Sequence, residues 1–150
     1  MEAVRQKPSL SIVRRFDVEP AEVWRAWTDP RALSAWMAPS DAFSTRVLEC
    51  DVRVGGRYRI VMRTPEGEDN DVSGVYREVV ANRKLVFTWA WKSTPERESV
   101  VTVELRAAGR GTELTLKHEE FAEGEARDRH NQGWNACLAR LGRMLAAQDA

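Results

Sequence analysis

The sequence predicts an α+β fold, in which a curved antiparallel β-sheet wraps around a long C-terminal α-helix and two short helices follow the first strand. Two observations carry this prediction. Residues 123–148 have the apolar spacing of an amphipathic helix. Residues 44–118 alternate between apolar and polar side chains with a period of two, and turn-length breaks interrupt them. Because no strand–helix–strand alternation occurs, a parallel sheet is not indicated.

Length and charge limit the classes of protein to consider. The chain has 150 residues, so we expect one domain over 1–150, with an ordered core at about 9–148. Lys and Arg together number 23, as do Asp and Glu, and the formal net charge is zero. Without an excess of basic residues, binding to nucleic acid or to an anionic membrane is not indicated.

The sequence indicates a cytoplasmic protein. The N-terminal residues include no apolar run of signal-peptide length, and no stretch approaches the length of a membrane span. Cys50 and Cys137 lie far apart in ordinary apolar patterns, so we expect reduced thiols in the core. No set of Cys and His residues has metal-ligand spacing, and neither a metal nor another cofactor is predicted.

The first strand is predicted at 9–16, and two short helices follow it. Pro20 suits the first position of one helix, while Asp29 as N-cap and Pro30 begin the next, which Pro39 ends. The apolar faces of these helices consist of Val23, Trp24, Trp27, Leu33, Trp36 and Met37. Two interpretations remain open. The tryptophans close the open end of the sheet, or Trp36 and Met37 form part of a pocket mouth.

Six strands are predicted between these helices and the C-terminal one. Three cover 45–54, 57–63 and 72–80, with a turn or bulge at Gly55-Gly56 and an acidic, solvent-exposed loop at 63–71. The other three follow the alternations from Leu85 to Trp91, from Val101 to Arg106 and from Glu113 to His118. Joined by short turns, they predict an antiparallel meander with one face toward solvent.

The C-terminal helix, predicted at 123–148, carries one apolar stripe. The stripe consists of Ala126, His130, Trp134, Cys137, Leu138, Leu141, Met144 and Leu145, whereas Arg129, Asn135, Arg140 and Arg143 lie outside it. The C-terminal half of the stripe is aliphatic, which is typical of core packing. The N-terminal half includes Gly133, and a glycine within a helix costs about 1 kcal/mol relative to alanine. We therefore expect any cavity beside this half.

The candidate site is the inner surface that these elements would share. Its predicted lining residues are Trp36, Met37, Tyr58, Met62, Phe87, Trp89, Trp91, His118, His130 and Trp134. Core packing accounts for most of them, yet aromatic side chains with a few polar groups also describe a small-molecule pocket. His118 and His130 are satisfied histidines at the edge of the core, or groups that orient a ligand, or one of them acts as an acid/base. No catalytic motif is present, and no catalytic residue is predicted.

Five stretches resemble one known family. They are FDVEPAEVWRAWTDPRALSAWMAP, CDVRVGGRYRIVM, SGVYREVVANRKLVFTWAW, TELTLKHEEF and RHNQGWNACLARLGRML, and the resemblance covers about residues 9–147. Together they are similar to the bacterial branch of the activator of heat-shock protein 90 ATPase homologue family, in the START-like, birch-pollen-allergen-like (SRPBCC) superfamily. The resemblance implies the helix-grip fold and a cavity that superfamily members use for lipids, hormones or polyketides. Trp36, Trp89, His118 and Trp134 transfer from it only as cavity or core residues.

Three functions remain open on the sequence alone. The first is non-enzymatic binding of a hydrophobic or amphipathic small molecule between the sheet and the C-terminal helix. The second is a protein-interaction module in the stress response, with a chaperone or another protein as partner. The third is an enzyme of the cyclase, dehydratase or hydrolase type that uses His118 or His130 for proton transfer. An outer sheet edge could also pair with a second copy, which leaves a homodimer open.

Overall fold

The computed structural model describes residues 7–148. Within that range it contains seven strands and three helices, in the predicted order. The strands are β1 (Leu10–Phe16), β2 (Ser44–Cys50), β3 (Arg57–Arg63), β4 (Asp69–Val80), β5 (Lys84–Trp91), β6 (Ser99–Ala108) and β7 (Gly111–Glu119). The helices are α1 (Pro20–Thr28), α2 (Pro30–Trp36) and α3 (Gly124–Gln148).

The seven strands form one antiparallel sheet in the order β1-β7-β6-β5-β4-β3-β2. Strands β2 to β7 are a meander, because each pairs with the next along the chain, and β1 pairs with β7 in the register Leu10↔His118. Register shifts between Val47 and Glu49 and between Tyr76 and Glu78 interrupt two ladders. Such bulges increase twist and bend a sheet, so it curves around a helix. The predicted fold class, a curved antiparallel sheet with a long C-terminal helix, is confirmed.

Two predicted strand boundaries differ from the structure by more than two residues. Strand β2 ends at Cys50 and not at 54, because residues 51–56 form a tight turn in which Gly55 has a φ of +86°. Strand β4 begins at Asp69 and not at 72, so part of the expected acidic loop lies in the sheet. There Asp69 pairs with Arg63, and Asp71 accepts a bidentate hydrogen bond from Arg59 on β3. Cross-strand ion pairs of this kind stabilise polar residues in a ladder.

Helix α3 packs its apolar stripe against the sheet. Its buried residues are Trp134, Cys137, Leu138, Leu141 and Leu145, all of which belong to the predicted stripe. The facing sheet residues keep the predicted strand alternation, and Ile60, Phe87, Val103 and Leu116 are examples of them in the core. Burial of aliphatic side chains at about 25 cal/mol per Å² is the main stabilising contribution of this contact.

Helices α1 and α2 cover one end of the space between α3 and the sheet. Pro20 and Pro30 occupy first-turn positions, and the Asp29 side chain accepts a hydrogen bond from the Arg31 amide as the α2 N-cap. The Trp27 and Trp36 rings meet edge to face, with centroids 4.7 Å apart. Both rings are buried, so these helices bring a large aromatic surface into the core.

Arg140 joins α3 to the end of α2 and to the segment that follows it. Its guanidinium donates hydrogen bonds to the carbonyl oxygens of Ala35, Trp36 and Ala38 at 3.0–3.2 Å, and its Nε lies 3.0 Å from an Asp41 carboxylate oxygen. The side chain is only 14% exposed, although its position outside the apolar stripe predicted a solvent-facing residue. The last carbonyls of a helix have no partner within the helix, so Arg140 satisfies groups that would otherwise lack one.

Replacing Arg140 with Gln should lower the free energy of unfolding by about 2–3 kcal/mol, because several charge-assisted hydrogen bonds are lost together. Arg143→Gln is the matched control. Arg143 is 66% exposed and lies 4.0 Å from the same Asp41 carboxylate, so its loss should change stability by less than about 0.5 kcal/mol. Urea denaturation midpoints at an unchanged m-value measure both effects. Equal midpoints for the two variants would contradict the role given to Arg140.

Candidate functional site

A cavity of about 330 Å³ lies between the inner face of the sheet and the N-terminal half of α3. Strands β3, β4 and β5 supply one wall, while α3 and the segment between α2 and β2 supply the others. The surface of the cavity is mostly apolar. Its lining residues are Met37, Pro39, Phe43, Met62, Asn70, Trp89, Trp91, Arg129, His130, Gly133, Trp134 and Cys137.

Six of the ten predicted lining residues border this cavity, and four lie elsewhere in the core. The six are Met37, Met62, Trp89, Trp91, His130 and Trp134. The four are Trp36, Tyr58, Phe87 and His118, and each is at most 4% exposed. Strand alternation identifies the face on which a side chain lies. It does not say whether a helix or a cavity covers that position.

Helices α1 and α2 account for three of these four residues. Phe87 packs against Trp27 of α1 and edge to face with Tyr58, at centroid distances of 6.4 and 5.4 Å. The Tyr58 hydroxyl donates a hydrogen bond to the Thr88 carbonyl oxygen. Trp36 donates its indole N–H to the Ala26 carbonyl oxygen at 2.8 Å. These side chains therefore fill the covered end of the sheet, beside the cavity.

His118 is fully buried behind the cavity wall, and both of its ring nitrogens have partners. Nδ1 accepts a hydrogen bond from the Trp134 indole N–H at 2.9 Å, so Nε2 carries the proton and donates to the Ser99 hydroxyl at 2.7 Å. Burial, with a smaller contribution from the neighbouring His130, lowers the pKa of His118 to about 2. His118 is thus a neutral residue that links α3 to β7 and β6.

His130 lies on the cavity wall itself, where it is also held in one tautomer. Its Nδ1–H donates to the Ala126 carbonyl oxygen at 2.7 Å, and its Nε2 accepts from the Trp91 indole N–H at 3.0 Å. Burial is the main cause that lowers the pKa of His130 from its ordinary value. The two imidazole rings lie 5.2 Å apart, so the neutral form of each avoids a repulsion between like charges.

Several lining residues were not among the predicted ones. Asn70 was assigned to a loop, but it lies in β4 directly opposite Met62 and therefore shares its face. Pro39 and Phe43 belong to the irregular segment between α2 and β2, where no periodic pattern could identify them. Arg129 was placed outside the α3 stripe. If residues 69–71 had been assigned to a strand that pairs with β3, the alternation of side chains would have placed Asn70 on the inner face.

Gly133 and Cys137 border the cavity from α3, in the half of the helix where a cavity was expected. A Cβ atom added at Gly133 would meet no atom within 4 Å, so open space lies in front of this backbone position. Burial raises the pKa of the Cys137 thiol to about 12. Because the thiolate is the reactive form, Cys137 is an apolar wall residue rather than a nucleophile.

The cavity adjoins a polar groove at the rim of the sheet. Asn70, Trp89, Trp91, Arg129 and His130 line both spaces. The groove also carries the ion pair of Arg59 with Asp71 on β3 and β4, and it is lined by Arg97, which pairs with Glu123 before α3. The site therefore passes from an apolar interior to a charged exterior.

Two further kinds of site find no support within residues 7–148. No group of three or more His, Cys, Asp or Glu side chains in that range is arranged to hold a metal ion. No helix in the same range combines the length and hydropathy needed to cross a membrane.

Solved structures of bacterial proteins share this fold. The AHSA1 (SPO3351) protein from Silicibacter pomeroyi is 28% identical with a TM-score of 0.84, and the alignment covers 94% of this chain and 99% of that one. Protein CV1439 from Chromobacterium violaceum is 26% identical with a TM-score of 0.84, covering 91% and 96%. CalU16 from Micromonospora echinospora is 26% identical with a TM-score of 0.70, covering 93% and 77%.

No curated protein sequence matches the chain significantly. A family model does match it, and the description of that family is activator of Hsp90 ATPase homolog 1-like protein. The match extends over residues 17–146, from the end of β1 almost to the end of α3. The helix-grip fold of START-like proteins, which the resemblance implied, is confirmed by the sheet, the two short helices and the long helix. The chain belongs to the activator of Hsp90 ATPase homolog 1-like protein family.

Proposed function

We propose that this protein binds a small hydrophobic or amphipathic molecule in the cavity between the sheet and α3, without catalysing a reaction. The open space in front of Gly133 is the observation that carries the proposal. A glycine inside a helix costs about 1 kcal/mol relative to alanine. No neighbouring atom requires the glycine, since an added Cβ would meet nothing within 4 Å. The effect of a glycine at this position is therefore to keep the space in front of it empty.

The size and the lining of the cavity agree with a small ligand. Its volume of about 330 Å³ lies at the lower end of the range for ligand pockets, which is about 300–1,000 Å³. The indoles of Trp89, Trp91 and Trp134 offer flat apolar surface, and Met37 and Met62 offer adaptable contacts. Such a lining favours an apolar molecule with few polar groups.

The rim accounts for an amphipathic ligand. Asn70 and Arg129 lie where the cavity meets the polar groove. Arg129 pairs with Glu125 one turn away, and both side chains are mostly exposed, so this pair contributes only a few tenths of a kcal/mol. A polar group on a bound molecule could replace it at little cost. The apolar part of the ligand would occupy the cavity, with its polar part at the rim.

The state of the histidines favours binding over catalysis. An acid/base group works best when its pKa lies near the working pH and when it can exchange a proton. Both ring nitrogens of His118 and of His130 already have hydrogen-bond partners, and burial lowers both pKa values. These side chains are therefore suited to holding Trp134 and Trp91 in place against the cavity.

The description of the family supplies a second candidate, which is stimulation of the Hsp90 ATPase through the protein surface. The two candidates respond differently to a filled cavity. A surface-mediated effect should be equal for the wild-type protein and for a folded Gly133→Leu variant, measured as ATP hydrolysis by purified Hsp90. A flat response to both proteins over a wide concentration range would remove this candidate.

Replacing Gly133 with Leu should abolish ligand binding while the protein remains folded, because the new side chain enters open space beside the cavity. Gly133→Ala is the matched control. It adds one methyl group, should retain binding and should stabilise the protein by about 0.5–1 kcal/mol. Binding is measured by tryptophan fluorescence during titration with molecules extracted from the protein purified from its host. Unchanged affinity in folded Gly133→Leu would remove the proposed site.

Lowering the pH should destabilise the protein before its carboxylates titrate. The pKa of His118 is about 2 in the folded state and about 6.5 in the unfolded state, so below pH 6.5 the unfolded state binds the additional proton. His118 contributes nothing to this dependence above pH 6.5. From pH 7 to pH 5 it alone should lower the free energy of unfolding by about 2 kcal/mol.

Chemical denaturation at pH 7, 6 and 5 measures this dependence. His118→Gln should show a shallower decline than the wild-type protein between pH 7 and pH 5, whatever its absolute stability. The residual slope comes from His130, the only other histidine. If the free energy of unfolding of His118→Gln falls with pH as steeply as that of the wild-type protein, His118 titrates normally. An acid/base role for His118 would then again be a candidate.

A further inference from the structure

Two buried indole groups next to the cavity have no hydrogen-bond acceptor. The Nε1 atoms of Trp27 and Trp89 lack a partner among residues 7–148 and are out of contact with solvent. Their side chains are almost completely buried, with 3% and 4% of the residue exposed. Trp36, Trp91 and Trp134 differ from them, since each donates its indole N–H to a defined acceptor.

Both tryptophans line one small void behind the cavity. This void has a volume of about 20 Å³ and is otherwise bordered by apolar and tyrosine side chains, among them Leu33, Ile60 and Phe87. Met37 and Trp89 line the void and the cavity alike, so they form the partition between them. A void of this size accommodates a single atom or small group.

An unpartnered buried donor is costly. A buried N–H without an acceptor has lost its hydration and gained nothing in return, and most buried polar groups in proteins therefore have a partner. A phenylalanine would supply most of the same apolar surface without this cost. The two indole donors are thus best explained by an acceptor that a bound molecule brings.

We propose that the molecule bound in the cavity carries a neutral hydrogen-bond acceptor, a carbonyl or ether oxygen, at its buried end. Neither Nε1 atom touches accessible space in this structure, so the Met37 side chain must move for that oxygen to accept hydrogen bonds from the indole N–H groups of Trp27 and Trp89. This inference rests on the binding function proposed above and specifies the class of ligand. The protein would select apolar ketones, aldehydes, esters or ethers over hydrocarbons of the same shape.

Two features of the void determine the kind of acceptor. No charged side chain lines it, so a carboxylate there would lose its hydration without gaining a cationic partner. Its hydroxyl groups are already engaged, because Tyr58 donates to the Thr88 carbonyl oxygen and the Tyr76 hydroxyl lies 3.9 Å from the Cys50 thiol. A neutral oxygen is therefore the acceptor that this environment tolerates.

Met37 allows the ligand to reach the void. Its unbranched side chain has three rotatable bonds, and methionine adapts readily to the shape of a bound molecule. Met37 lies just after α2, in the segment that Arg140 holds at Trp36 and Ala38. The backbone of the partition is therefore anchored, so a rotamer change of the buried Met37 side chain is the movement that admits a ligand.

The test compares butyrophenone with butylbenzene, which have the same carbon skeleton and differ by one carbonyl oxygen. Indole N–H signals of the ¹⁵N-labelled protein are recorded by two-dimensional NMR and are assigned with single Trp→Phe variants. Both probes should shift the Trp91 and Trp134 signals, because those rings line the cavity. Only butyrophenone should move the Trp27 and Trp89 N–H protons downfield, toward the positions of hydrogen-bonded indoles.

Affinities of three variants complete the test. Trp89→Phe and Trp27→Phe should each weaken butyrophenone binding about 2- to 10-fold relative to butylbenzene binding, since the net contribution of one hydrogen bond is lost. Trp24→Phe is the control and should change neither affinity, because Trp24 borders neither the cavity nor the void. Taking the ratio of the two affinities cancels any general change in packing.

Three results would overturn the proposal. Equal indole shifts and equal affinities for the two probes would disprove the acceptor while leaving the binding function intact. Trp27 and Trp89 signals that already lie at hydrogen-bonded positions in the free protein would assign the void to a buried water. Failure of both probes to shift any indole signal would remove the binding function, and this inference with it.

Discussion

The hydrogen bond from the Trp134 indole to His118 is the interaction on which the remaining structure depends. It links α3 to β7, and His118 extends the link to Ser99 at the start of β6, whose hydroxyl also lies 3.2 Å from the Trp89 carbonyl oxygen. An aliphatic stripe alone is not directional, and it would allow α3 to slide or rotate on the sheet. A buried chain of donors and acceptors permits only one placement, because any other would leave polar groups without partners. The link therefore sets both the position of α3 and the space beside it.

With α3 placed in this way, its two halves meet the sheet differently. The C-terminal half packs closely through Leu138, Leu141 and Leu145, and Gly142 faces the ring of Phe16. Aromatic side chains of β5 and α3 instead hold the N-terminal half, where the rings of Trp89 and Trp134 lie 5.1 Å apart. Bulky rings joined by directional hydrogen bonds cannot collapse into every gap, and so a cavity remains. The close packing of α3 on the sheet comes mainly from its C-terminal half, while the candidate site lies beside its N-terminal half.

Local patterns predicted the fold almost completely, because each strand and helix buries one face and therefore shows its own period in the sequence. They predicted the site less completely. The period places Tyr58 and Phe87 on the inner face, but only the packing of α1 reveals that a helix rather than a cavity covers them. The inward position of Asn70 depends on a strand pair stabilised by charges on the opposite face. Arg140 is buried through contacts with carbonyls about 100 residues away. Each of these placements depends on a contact between residues far apart in the sequence, and a local sequence pattern cannot reveal such a contact.

The departures from ordinary helix and core rules occur close together. Gly133 lowers the stability of α3 at a position where no neighbouring atom requires a glycine. The indoles of Trp27 and Trp89 have no hydrogen-bond acceptor, although phenylalanine at these positions would supply most of the same apolar surface. All three residues border the cavity or the void behind it. A sequence selected for stability alone would remove such costs through single substitutions. Their concentration at one place, within a chain whose strands and caps otherwise follow the rules, is the pattern expected where binding a molecule has been favoured over maximal stability.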